Sequence, residues 1–197
     1  MEVIIHRVNT ISKLKNIQPI YGTEIDIRSS GSNLILSHDP FKSGDKLEDY
    51  VDEYKNSTLI LNIKEAGIEK AVLNIIKGRP HVKKYFLLDT DFPYIYKASK
   101  KGERNLAIRF SEFESIETLN NFSGIVDYVW IDTFLKLPIE NKNIPLLNKF
   151  KKCLVCPERW GRPEDIKHYQ KQLKSYNFEI NSVMTSQKYS SLWKNFS

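Results

Sequence analysis

Two stretches near the start of the chain concentrate side chains able to do acid–base and metal chemistry. In Gly22-Thr23-Glu24-Ile25-Asp26-Ile27-Arg28, Glu24 and Asp26 stand two apart. On a β-strand that spacing puts both carboxylates on one face, with Arg28 beyond them, and turns Ile25 and Ile27 to the other. A carboxylate pair so placed suits a hard divalent cation, which takes oxygen ligands. His6 ends the apolar run Val3-Ile4-Ile5 and precedes Arg7, while His38-Asp39-Pro40 follows Leu34-Ile35-Leu36 on a turn. Imidazole titrates near neutral pH unaided, so two of them suit an acid and a base. Any one of these residues is ordinary. The ordered set of strand-His-Arg, strand-Glu-x-Asp and His-Asp at a turn is the signal.

On these residues the chain resembles the glycerophosphodiester phosphodiesterase family, relatives of phosphatidylinositol-specific phospholipase C. The family's opening His-Arg-Gly reads His6-Arg7-Val8 here, its Glu-x-Asp strand reads Glu24-Ile25-Asp26, and its Gly-containing hairpin into His-Asp reads Gly31 and His38-Asp39. The match covers about the first 65 residues. It implies a (β/α)8 barrel, a bound Mg²⁺ or Ca²⁺, and cleavage of a glycerol-phosphate-type phosphodiester with His6 and His38 as acid and base. Glu24 and Asp26 would hold the cation as a Lewis acid. Arg7 and Lys64 would bind the non-bridging phosphate oxygens, the one as a fork and the other as a point charge. Two positions depart from the pattern. Val8 stands where the family has Gly, which predicts a differently shaped first turn. The family's Glu-x-Lys strand reads Leu61-Asn62-Ile63-Lys64, so Asn62 replaces a third metal carboxylate. An amide oxygen ligates a hard cation without contributing charge, and weaker binding is expected.

These residues need a scaffold. Eight strand-like runs are predicted, at 3–8, 22–28, 58–64, 84–90, 106–111, 126–132, 152–158 and 179–185. Most are near-continuous apolar runs, as parallel strands covered on both faces require. Helical spacing falls at 47–55, 66–77, 91–101, 114–121, 144–150 and 163–176, with Ile68, Val72 and Ile76 forming one stripe. Eight such alternations favour a barrel over an open sheet, and no Gly-x-Gly-x-x-Gly follows an early strand. Barrel chemistry belongs at the C-terminal strand ends. Besides the residues above, those ends carry Asp89, Glu158 and Trp130 as further candidates. Helix N-caps account for part of this polarity, with Ser111, Asp132 and Asp89 the positions expected to cap.

At 197 residues the expectation is one domain, 1–197, with short loops, and between Arg28 and Thr58 room for one hairpin and one helix but no inserted cap. A net charge of +6 and a pI near 9.1 would permit nucleic-acid binding, but the lysines are scattered and no basic tract with interleaved aromatics occurs. Nucleic acid is therefore not expected as a partner; a positive field would also draw in a small phosphodiester. Cys153 and Cys156 lie three apart on a predicted strand, on opposite faces, and read as buried small hydrophobes rather than a metal or disulfide pair. His81 and His168 read as surface residues. No 18-residue apolar stretch and no signal-peptide core is found, which predicts a cytoplasmic protein without a transmembrane segment.

Three functional readings stay open on the sequence. The first is metal-dependent hydrolysis of a glycerophosphodiester, as in lipid metabolism. The second is a cyclising lyase or phosphotransferase acting on a glycerol-phosphate-bearing polysaccharide precursor or lipid headgroup. The third is a non-catalytic diester-binding module, for which Asn62 is the main support.

Overall fold

The structure, a computed structural model, describes residues 1–194 and 196. The strands are β1 (Glu2–Ile5), β2 (Gly22–Ser30), β3 (Asn33–Leu36), β4 (Leu59–Ile63), β5 (Tyr85–Leu88), β6 (Ala107–Phe110), β7 (Tyr128–Ile131), β8 (Lys151–Val155) and β9 (Ser182–Thr185). The helices are α1 (Ile11–Lys15), α2 (Leu47–Asp52), α3 (Glu69–Lys77), α4 (Phe92–Ser99), α5 (Ile116–Phe122), α6 (Ile144–Leu147), α7 (Asp165–Ser175) and α8 (Ser190–Lys194). The strands follow the order β5-β4-β2-β1-β9-β8-β7-β6, with β3 paired to β2 alone. Eight parallel strands alternating with helices define a (β/α)8 barrel, the expected class.

The chain divides into two compact units, residues 5–97 and residues 1–4 with 98–197. In the first unit β2, β4 and β5 pair in parallel, with Asp26 opposite Asn62 and Ile63 opposite Ile27. All five residues of β4 are buried, and in β2 Ile25 and Ile27 are as buried as Glu24 and Asp26. Over residues 22–27 β2 therefore has no solvent face, and its acidic side is an interior one. The hairpin expected between Arg28 and Thr58 is β2–β3, turning at Gly31, whose φ of 60° is open to glycine at little cost. Its return to α2 passes close to β3. A Cβ on Gly44 would stand 2.1 Å from the Leu36 carbonyl oxygen, so only glycine fits there. Helix α3 buries the predicted Ile68, Val72 and Ile76 stripe.

In the second unit β6, β7, β8 and β9 pair in parallel, and α7 packs Ile166, Tyr169 and Leu173 inward. Cys153 and Cys156 are buried thiols, and Cys156 Sγ accepts the Trp193 indole N–H at 3.2 Å. His81 and His168 are exposed.

The strand runs and six helices predicted from sequence are found, most with ends trimmed where the flanking residues turn into loops, while β2 runs on to Ser30 and α5 to Phe122. Short α1 and α8 and the 3-10 turn Pro157–Trp160 have too few residues to show a period. The capping expectation is corrected. Helix α5 is capped by Ser115 and α1 by Thr10, while Ser111 and Asp132 bind loop and side-chain donors instead. Among the described residues no helix is long and apolar enough to cross a membrane.

Candidate active site

The acidic end of β2 organises the first unit. Glu24 and Asp26 are each about 1% exposed. Glu24 Oε2 accepts the Arg7 backbone N–H at 2.8 Å, and Val8 N donates to the Glu24 carbonyl at 2.9 Å. These bonds wrap the turn after β1 around Glu24. Arg7 takes φ 52° to do so, a conformation uncommon outside glycine. Val8 needs no positive φ and is fully buried, so the valine in place of glycine is absorbed by packing while the left-handed residue is Arg7.

Around this pair stand the other predicted side chains of the unit. His6 Nε2 lies 3.9 Å from Glu24 Oε2. Arg7 Nε lies 3.7 Å from Asp26 Oδ2. Lys64 Nζ sits 3.2 Å from Asp26 Oδ1 and 3.6 Å from Asp89 Oδ2, bridging two carboxylates. Asn62 Nδ2 donates to Glu24 Oε1 at 2.9 Å. Asp89 itself holds φ 57°, so a second residue beside the acidic pair carries an uncommon backbone conformation. The positions 6, 7, 24, 26, 62, 64 and 89 thus converge.

His38 is held by the same hairpin. Ser37 N donates to the Asp26 carbonyl at 3.0 Å, and Arg28 Nε donates to the His38 carbonyl at 3.1 Å. Arg28 Nη1 also donates to the Lys64 carbonyl at 3.1 Å, tying the His38 loop to the Lys64 loop. The His38 imidazole, partly exposed, hydrogen-bonds Asp39 through Nδ1 at 2.8 Å. That bond holds the Asp39 carboxyl below the usual carboxylate range. Glu158 and Trp130 belong to the second unit. Glu158 Oε1 accepts from Thr185 Oγ1 and Ser186 N, and Trp130 is buried with its N–H on Asp132 at 3.2 Å. Both are engaged in structural bonds of that unit.

Burial pushes the Glu24 carboxyl up to about 7, and the neighbouring Asp26 charge adds to the rise. Hydrogen bonds from Asn62 and from the Arg7 N–H, and the Lys64 charge, act against it. Two buried oxygens, Asp26 Oδ1 and Asn62 Oδ1, have no hydrogen-bond donor, and Lys64 approaches the first without hydrogen-bond alignment. Buried acceptors without donors are costly unless something electropositive serves them. With the Glu24 carboxylate beside them, these oxygens make a set of two carboxylates and an amide, which fits a hard cation with fewer charges than an all-carboxylate site. Among the described residues no group of three or more His, Cys, Asp or Glu side chains is arranged to hold a metal.

Sequence reasoning missed Asn9 and Lys13. Asn9 Nδ2 donates to Asp26 Oδ2 at 2.8 Å, and its Oδ1 accepts Asp26 N at 2.9 Å, which fixes the carboxylate's orientation. Lys13 Nζ donates to the Arg7 carbonyl, holding the strained turn. The one available signal was their closeness to His6-Arg7 in the chain.

The strand ends of the first unit thus gather a buried acidic pair, two cations and an imidazole. No protein-family model matches the chain, and no curated protein sequence matches it. Solved structures share its fold. A glycerophosphodiester phosphodiesterase from Agrobacterium tumefaciens is 10% identical over 93% of this chain and 96% of its own, with a TM-score of 0.63. A second A. tumefaciens chain, assigned as a glycerophosphoryl diester phosphodiesterase, is 8% identical over 98% and 97%, with a TM-score of 0.67. A glycerophosphodiester phosphodiesterase from Thermotoga maritima is 18% identical over 98% and 96%, with a TM-score of 0.63. The likeness is one of fold along nearly the whole chain.

Proposed function

We propose that this protein is a phosphoric diester hydrolase that cleaves a small glycerophosphodiester with the help of a divalent cation. The observation that carries the reading is the buried Glu24–Asp26 pair with donor-free oxygens beside it, ringed by His6, Arg7 and Lys64. The fold shared with three structures that bear this activity in their names supports it. Glu24, Asp26 and Asn62 would hold Mg²⁺ or Ca²⁺, which supplies Lewis-acid neutralisation of phosphoryl charge.

The remaining chemistry falls to side chains. Arg7 and Lys64 bind the non-bridging oxygens, Lys64 being positioned by Asp26 and Asp89. His38 donates from Nδ1 to Asp39, which leaves Nε2 as the acceptor that takes a proton from water. His6 protonates the leaving alkoxide. Arg28 holds the His38 loop to the Lys64 loop, so base and phosphate clamp keep one geometry. Asn62 favours a second reading, a module that binds diesters without cleaving them, since the third ligand carries no charge.

Turnover of glycerophosphodiesters with and without chelator tests both. Activity that chelator abolishes and Mg²⁺ or Ca²⁺ restores, giving linear glycerol phosphate, supports hydrolysis. A cyclic product points to the cyclising reaction. Tight binding of an intact diester with no turnover under any cation would establish the binding module.

A further inference from the structure

Two lysines of the short helix α1 meet different kinds of partner. Lys15 Nζ lies 3.9 Å from Glu53 Oε2 with both side chains exposed, an ordinary surface pair that contributes little. Lys13 Nζ turns instead to backbone. It donates to the Arg7 carbonyl and, at 3.4 Å, to the His6 carbonyl. The root of this side chain is fixed. Thr10 Oγ1 accepts the Lys13 N–H at 3.1 Å, Asp45 Oδ2 accepts the Ile11 N–H at 2.7 Å, and Leu14 is buried beneath the helix. An anchored turn of helix thus delivers an ammonium onto the two carbonyls that follow β1.

Those carbonyls belong to the turn that most needs holding. Arg7 sits at φ 52°, where a side chain crowds the backbone. It is gripped at three points: its N–H on Glu24 Oε2 at 2.8 Å, its Nε 3.7 Å from Asp26 Oδ2, and its carbonyl on Lys13. The first two grips come from the acidic pair, and the third comes from α1. A charge-assisted bond to a carbonyl is comparable in size to the cost of a left-handed conformation in a non-glycine residue. Without that bond, relaxation of Arg7 toward negative φ would carry its N–H off Glu24 and its guanidinium off Asp26. We propose that Lys13 is a positioning residue that holds Arg7, through its carbonyl, in the conformation that presents the guanidinium to a phosphodiester. This rests on the phosphate-binding role proposed for Arg7; Lys13 acts through the turn and not on the reacting atoms.

The test removes the ammonium and keeps the stem, as in Lys13→Met. On a glycerophosphodiester this variant should raise KM by about tenfold while kcat changes by less than about threefold. Lys13→Arg, which still carries donors for the carbonyls, should recover most of the loss. The urea midpoint reads the strain without turnover. Lys13→Met should lower it in the parent, and by at most about half as much in the Arg7→Gly background, because glycine takes φ 52° unaided. Equal midpoint losses in the two backgrounds, or no loss in either, overturn the holding role. An unchanged KM in an active Lys13→Met protein overturns the positioning role while the proposed activity stands. A parent without turnover under any cation removes the activity and the phosphate role of Arg7 together, whereas a midpoint loss confined to the arginine background would still assign Lys13 to holding the turn.

Discussion

Both units bury a carboxylate beside cationic groups, and they treat it in opposite ways. Asp132, 2% exposed, accepts from Trp130, Trp160, the Thr133 N–H and Arg109. Every donor around it is used. Asp26 is as buried, yet one of its oxygens has no hydrogen-bond donor, and its neighbour Glu24 is pushed up to about 7 by burial. Uncommon backbone conformations follow the same division. Among the described residues Arg7, Phe41 and Asp89 take positive φ in the unit that holds the acidic pair, against Asn177 in the other. A satisfied polar network specifies a fold, whereas a buried acceptor without a hydrogen-bond donor next to strained turns, as at Asp26, is a candidate for chemistry.

Removing either histidine attacks the comparison most directly. His6→Ala or His38→Ala should lower kcat on a glycerophosphodiester by roughly 10²–10⁴-fold with little change in stability. Parent-level turnover in either variant would take that histidine out of the mechanism. Stability should show the reverse asymmetry. Asp132→Ala takes the acceptor from two indole N–H groups and one of its two carboxylates from Arg109, and should cost about 3–5 kcal/mol in urea unfolding. Asp26→Ala should cost about 1 kcal/mol, because Lys64 keeps Asp89. Equal losses would dissolve the distinction between the two carboxylates.

A pH series sharpens it further. The Glu24 carboxyl lies above its unfolded value of 4.5, so folding takes up a proton between that value and about 7. Its contribution to stability is present below pH 4.5 and lost as pH rises through about 7. In chelator, Glu24→Gln should therefore melt above the wild type at pH 8 and close to it at pH 5. Identical curves at both values would mean that Glu24 ionises freely. The smallest effect is expected from restoring the missing charge. Asn62→Glu should tighten Mg²⁺ or Ca²⁺ binding by about tenfold in calorimetry, since a carboxylate replaces an amide oxygen. Unchanged affinity would place Asn62 outside the ligand set.

Much of the site was legible because strand chemistry is local. A period of two put Glu24 and Asp26 together, and apolar runs bounded by polar ends marked eight strands whose order a barrel then dictates. Asn62 and Lys64 were legible for the same reason. The roles of Asn9, Lys13 and Arg28 were not, because each acts through a bond to a loop carbonyl or a carboxylate that no spacing announces. Ser111 and Asp132 misled for the same cause, since a polar residue after a strand reads alike whether it caps a helix or anchors two indoles.

The amino-acid order alone determined the alternation of strands and helices, the face on which the acids lie and the identity of the histidines, because these follow from periodicity and side-chain chemistry. Tertiary structure alone decided which buried groups would be paired. Whether a carboxylate meets four donors, as Asp132 does when Arg109 and Trp160 join its neighbours Trp130 and Thr133, or keeps an oxygen without one, as Asp26 does, depends on residues 17 to 38 positions away brought within 3 to 4 Å. At such separations desolvation and pairing set the charge state, and neither can be read along the chain.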